Sequence, residues 1–118
     1  MTDFGTINGK VVVITGGARG IGLATATRLQ ALGAKIAIGD VDETAVEQSG
    51  TDHDFDHYGR VDVTDQQSFS SFLDEVEREL GPIDVLINNA GGSPGITRTV
   101  APNASTRPAS SVAGRSTA

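Results

Sequence analysis

Residues 11–22 read Val-Val-Val-Ile-Thr-Gly-Gly-Ala-Arg-Gly-Ile-Gly, and no other stretch narrows the fold as much. Val11 to Ile14 is apolar, β-branched and unbroken, which suits a strand buried on both faces in a parallel sheet. It leads straight into glycines, and the chain beyond them has a helical pattern. A glycine-rich turn from strand to helix lets a phosphate approach closely, because no Cβ intervenes and the helix N-terminus presents backbone N–H groups. The spacing is G-x-x-x-G-x-G, not the commoner G-x-G-x-x-G. Taken alone, the turn serves equally as a tight connection, so its meaning depends on the rest of the chain.

Beyond the turn, strand and helix patterns alternate regularly. Ile21, Ala24, Leu29 and Leu32 fall near one face of a helix of about three turns, with Arg28 and Gln30 turned away and Gly33 as a left-handed stop. Lys35 to Asp40 reads as a second buried strand that ends in an acid. A short helix is predicted over 43–49, after Asp42, with Ser49-Gly50 ending it and an acidic loop from Thr51 to Asp56. Tyr58, Val61 and Val63 suggest a third strand, weakened by Gly59 and Arg60 and therefore placed at the sheet edge. Thr64-Asp65-Gln66-Gln67 has the form of a capping box built on Thr64, and Phe69, Phe72, Leu73, Val76 and Leu80 follow at helical spacing. Gly81-Pro82 ends that helix, and Ile83 to Ile87 makes a fourth strand that runs into Asn88-Asn89-Ala90-Gly91. This alternation predicts an α/β fold: the first half of a Rossmann-type, doubly wound parallel sheet, in strand order 3-2-1-4.

The pattern stops after Gly92. The last residues are mainly Ala, Ser, Thr, Pro, Arg and Gly, with Pro94, Pro102 and Pro108 among them and no acid, so residues 1–91 carry a net charge of −9 and residues 92–118 carry +3. A segment of that composition has little apolar area to offset its ordering entropy. The domain reading is therefore a truncated Rossmann-type unit over 1–95 and a disordered, low-complexity tail over 96–118. The acidic body disfavours a nucleic-acid surface, and three scattered arginines in the tail do not make a basic patch. The absence of cysteine excludes disulfides and thiol chemistry. No apolar run approaches the ~18 residues of a membrane span, and the start lacks the features of a signal peptide, so a cytoplasmic protein without membrane partners is expected. Asp52-His53-Asp54-Phe55-Asp56-His57 carries metal-type side chains, but on a loop without a rigid element to align them. It is read as a solvated acidic loop, and no metal is expected.

Asp40 stands eighteen residues after Gly22, at a strand end where an acid can hydrogen-bond the ribose 2′-OH of NAD. Asp62-Val63-Thr64 closes the third strand and Asn89-Ala90-Gly91 the fourth. With Thr15-Gly16-Gly17-Ala18-Arg19-Gly20-Ile21-Gly22, these motifs resemble the N-terminal half of a classical short-chain dehydrogenase/reductase, over about residues 7 to 95. The resemblance implies that Gly16, Gly20 and the Ile21 backbone line the pyrophosphate beside Gly22, and that Asp40 holds the adenosine ribose. It further implies that Asp62 and Val63 meet adenine and that Asn89, Ala90 and Gly91 flank the cofactor. Asp40 favours NAD over NADP, while Arg19 in the glycine-rich turn pulls toward a 2′-phosphate.

The implied reaction is hydride transfer between nicotinamide and a small-molecule alcohol or carbonyl, with protons relayed by a Tyr-x-x-x-Lys pair and a Ser. The sole tyrosine is Tyr58, followed four residues on by Asp62, and the lysines are Lys10 and Lys35. No catalytic residue is therefore assigned. The 118-residue chain is expected to be inactive alone, as the cofactor-binding half of a longer parent whose tail arises from a frameshift or premature stop, or is a linker. The alternatives are a non-catalytic dinucleotide-binding or partner-binding module and a non-functional product. Ending at the fourth strand would also leave that strand without its outer neighbour, and poor folding is expected.

Overall fold

The computed structural model describes residues 7–89 and 97–100. The elements are β1 (Val11–Thr15), α1 (Gly20–Ala31), β2 (Lys35–Asp40), α2 (Glu43–His53), β3 (His57–Arg60), α3 (Gln66–Leu80), β4 (Val85–Asn88) and β5 (Thr97–Val100). They form one sheet in the order β3-β2-β1-β4-β5. The first four strands are parallel, with Thr15 opposite both Gly39 and Asn88, so β1, β2 and β4 end at the same level.

Both faces of the sheet are covered, which explains why β1 is apolar at every position up to Thr15. Val12 and Ile14 pack with Ile36, Ile38, Ala26, Val46 and Phe55 on the side of α1 and α2. Val11 and Val13 pack with Ala37, Phe72 and Val76 on the side of α3. Successive strand residues point to opposite faces, and here each face meets a helix. The apolar stripe expected of α3 is the one used: Phe72 and Val76 are buried, and Phe69, Leu73 and Leu80 pack partly against them.

Four local expectations are corrected. In α1 the buried residues are Gly22 and Ala26, while Ile21 and Leu32 are 64% and 38% exposed. Leu29, as expected, packs partly against the core together with Leu23, but Ala24 is exposed and the fully buried positions are the small ones. The second helix does not stop at Ser49-Gly50 but continues to His53 and closes on Asp54 at φ 56°. Ser49 and Gly50 are buried within it: the Ser49 hydroxyl donates to the Ala18 carbonyl at 2.6 Å, and Gly50 gives room to the Tyr58 ring, which a Cβ would overlap. The third helix is capped by Asp65, whose carboxylate accepts from the N–H groups of Gln67 and Ser68, and not by Thr64. The Thr64 hydroxyl instead donates to Asp62 at 2.6 Å.

The fourth correction concerns the sheet's far side. No strand is expected after the fourth, yet Thr97–Val100 pairs antiparallel with β4, Val85 opposite Val100 and Asn88 opposite Thr97. An open strand edge is a row of unpaired N–H and C=O groups that any extended neighbour can satisfy, and β4 is accordingly flanked on both sides. The rest of the proposed tail lies outside the described residues.

Candidate functional site

The strand ends of β1, β2 and β4 are joined at their carboxyl edge by side chains that the register brings level. Thr15, fully buried, ends β1. Its hydroxyl donates to Asn88 Oδ1 at 2.6 Å and accepts from the Asn89 N–H at 3.2 Å, and the Asn89 N–H also reaches the Thr15 carbonyl. A single hydroxyl thus ties the end of β4 to the start of the glycine-rich turn.

That turn leans the other way onto β2. The Gly17 N–H donates to the Gly39 carbonyl at 3.1 Å, and the Ala18 N–H donates to Asp40 Oδ2 at 3.2 Å. Asp40 Oδ1 accepts from the Asp42 N–H at the same distance. Its carboxylate is therefore oriented by backbone on both oxygens at the edge where α/β sheets bind ligands. Gly16 and Gly20 have φ of 67° and 60°, the left-handed region that glycine enters without strain. Gly22 is buried for a different reason: a Cβ there would overlap the Gly16 carbonyl and come within 2.9 Å of Asn89 Nδ2.

The amino terminus of α1 differs from those of its neighbours. Helices leave their first N–H groups without intrahelical partners, and α2 and α3 satisfy theirs with Asp42 and Asp65. The cap position of α1 is Arg19, extended at φ −159° and ψ 173°, with no side-chain cap and no acid in the first turn. Such a terminus, with partial positive charge and outward N–H groups, suits an anion.

Arg19 reaches across to Asp42, Nη2 to Oδ2 at 2.6 Å. The hydrogen bond with Asp42 holds the Arg19 guanidinium above its usual pKa. The Ala45 N–H, and after it Arg19, hold Asp42 below the usual carboxylate value. Beyond β3, the Val61 N–H donates to the Asp40 carbonyl at 3.0 Å, which brings Asp62 and the half-buried Val63 to the same edge. Asp62 is also held below the usual value, first by the Thr64 hydroxyl and then by the Thr64 N–H.

Of the residues singled out from sequence, Gly16, Arg19, Gly20, Ile21, Gly22, Asp40, Asp62, Val63 and Asn89 all lie along this edge, and Ala90 and Gly91 lie outside the described residues. Sequence reasoning gave no role to the Thr15 hydroxyl or to Asp42. The first had a signal, a polar residue ending an apolar run; the Arg19–Asp42 pair, 23 positions apart, had none. In the Asp52–His57 stretch, His53 stacks on Phe55 and His57 Nε2 lies 3.4 Å from Glu75. Among the described residues no group of three or more His, Cys, Asp or Glu could hold a metal ion, and no helix is long and apolar enough to cross a membrane.

The family model of the short chain dehydrogenases matches residues 10–110. The chain is 44% identical over 85 residues to a cis-4-hydroxycyclohexanecarboxylate dehydrogenase of Sinomonas cyclohexanicum, covering 70% of this chain and 34% of that protein. It is 38% identical over 95 residues to the 5-keto-D-gluconate 5-reductase of Escherichia coli K12, covering 77% and 37%. A crystal structure of a short-chain dehydrogenase/reductase from Burkholderia phymatum in complex with NAD superposes with a TM-score of 0.65 at 30% identity, over 68% of this chain and 30% of that one. The chain spans about a third of the length of the curated relatives it matches.

Proposed function

Because the chain belongs to the short-chain dehydrogenase family, we propose that it binds the adenosine diphosphate portion of a nicotinamide dinucleotide at this edge, NAD in preference to NADP. The observation that carries this is the pairing of an uncapped helix terminus with an oriented acid. The first N–H groups of α1 have no side-chain partner, whereas Asp40 beside them is fixed by the amides of Ala18 and Asp42.

In this reading the backbone of Gly16, Gly20 and Ile21 holds the pyrophosphate, and Gly22 keeps α1 close enough for it to do so. Asp40 accepts from the ribose hydroxyls, and its charge disfavours a 2′-phosphate. Asp62 and Val63 border the adenine, and Asn89, Ala90 and Gly91 the remainder of the dinucleotide. The bound dinucleotide supplies hydride chemistry at its nicotinamide ring, and the whole protein acts on an alcohol or carbonyl compound. General acid-base help is typically worth about 10²–10⁴-fold, and this sequence has no Tyr-x-x-x-Lys to give it. The 118 residues therefore bind without turning over.

Calorimetric titration tests the binding reading: saturable uptake of NAD, weaker uptake of NADP, and loss of both in Gly22→Ala are expected. A preference for NADP that survives unchanged in Asp40→Ala would overturn the NAD assignment, and no saturable binding of either would overturn the site. For catalysis, nicotinamide absorbance is followed over a panel of secondary alcohols and ketones. Turnover by the 118-residue chain would show that the proton relay has been misplaced.

A further inference from the structure

Arg19 and Asp42 stand at the rim of the proposed ribose subsite and do something that Asp40 alone does not. Arg19 follows directly on Ala18, whose amide is bonded to Asp40, so its guanidinium begins beside the carboxylate that would read the ribose. A free arginine in that position accommodates a 2′-phosphate. Here the guanidinium is engaged instead: Nη2 lies 2.6 Å from Asp42 Oδ2.

The two partners are not equally free to move. Asp42 is the cap of α2, its Oδ1 accepting from the Ala45 N–H at 3.1 Å, and its own N–H is bonded to Asp40. Arg19 is the more exposed of the two, its side chain 65% accessible against 44% for Asp42. Capping therefore fixes the carboxylate, and Arg19 is the arm that can let go. A 2′-phosphate arriving at this rim would meet two carboxylates, Asp40 and Asp42, and an Arg19 guanidinium already bound to one of them.

We propose that Asp42 is a specificity-determining residue: it holds Arg19 as a latch, so that discrimination against a 2′-phosphate depends on the Arg19–Asp42 pair as well as on Asp40. The proposal rests on the reading of this edge as a dinucleotide site. Releasing the latch should turn Arg19 toward the phosphate and raise the affinity for NADP while changing that for NAD little.

The test titrates NAD and NADP by calorimetry into the full 118-residue chain and into Asp42→Asn, Arg19→Ala, the double variant and Glu43→Gln. Asn caps a helix as well as Asp does, so Asp42→Asn removes the charge and keeps α2. Thermal unfolding checks this, and Asp42→Ser replaces it if the asparagine variant does not fold. Asp42→Asn should raise the NADP-to-NAD affinity ratio about two- to fivefold, the scale of one surface charge pair. In the Arg19→Ala background the same change should leave the ratio nearly unaltered, and Glu43→Gln, which neutralises the next residue, should do little in either.

An equal gain with and without Arg19 would mean simple loss of a negative charge and would overturn the latch, as would no gain at all. NAD binding with an unaltered ratio would sink the latch but leave the site standing. Failure of every variant and of the parent chain to bind either dinucleotide would sink the site, and the latch with it.

Discussion

At Gly22 there is no space for a methyl group: the Gly16 carbonyl and the Asn89 side chain already occupy it. Gly22→Ala should therefore force α1 away from the glycine-rich turn, at a cost of about 1–3 kcal/mol typical of overpacking, measured by chemical unfolding. Thr15 is the corresponding polar case. Thr15→Val keeps the shape but leaves Asn88 Oδ1 without its donor and the Asn89 N–H without one of its two acceptors. A buried group stripped of its partner costs about 1–3 kcal/mol, and the same unfolding measurement should show a loss in that range. Thr15→Ser, which retains the hydroxyl, should recover most of it. If Thr15→Val were as stable as the parent, the hydroxyl would not be what ties β4 to the turn.

Among the elements, the three helices differ in how they begin, and the difference has opposite consequences. Removing the cap of α3 in Asp65→Ala should cost about 0.5–2 kcal/mol, as cap deletions generally do, seen as a lowered thermal midpoint. The Asp42 cap adds a pH dependence. Its carboxyl lies below the ordinary value of 3.8, chiefly through the Ala45 amide and then through Arg19. A depressed folded-state pKa gives stability that is present above the unfolded value and lost as pH falls through the folded one. Acidification below 3.8 should therefore erode the parent's thermal midpoint more steeply than that of Asp42→Asn, which has no such proton to take up. Parallel curves for the two proteins would rule out this contribution. The uncapped α1 is the exception that points to a ligand, since its amides gain a partner only from outside the helix.

For the molecule as a whole, the sheet's two outer strands are β3 and β5. β4 joins β1 on one side and β5 on the other, so the bare edge expected from sequence is covered. Deleting residues 97–118 would expose the unpaired groups of Val85–Asn88 and make a template for association. Light scattering of that shortened chain should show aggregation rising with concentration, where the full chain stays dispersed at the same concentrations. Equal dispersion of both would mean that the β4 edge is protected by something other than β5.

What the sequence determined by itself is what depends on local chemistry. The doubly buried run Val11–Ile14, the acid at the end of Lys35–Asp40 and the stripe Phe69–Leu80 set the buried central strand, the core face of α3 and the edge where a ligand would lie, because pleat and helix periods translate directly into burial. The tertiary structure decided what depends on neighbours distant along the chain. Position 50 of α2 has to be glycine because the Tyr58 ring fills the place of a Cβ, and Gly22 and Ala26 are buried in α1 while Ile21 and Leu32 are left exposed, with Gly22 set tightly against the Gly16 carbonyl and Asn89. Asp42 meets Arg19 across 23 residues, and β5 finds an open strand edge. None of these has a local signature, since each is set by which surfaces the crossovers bring together, and a residue's own propensity yields when that packing is worth more.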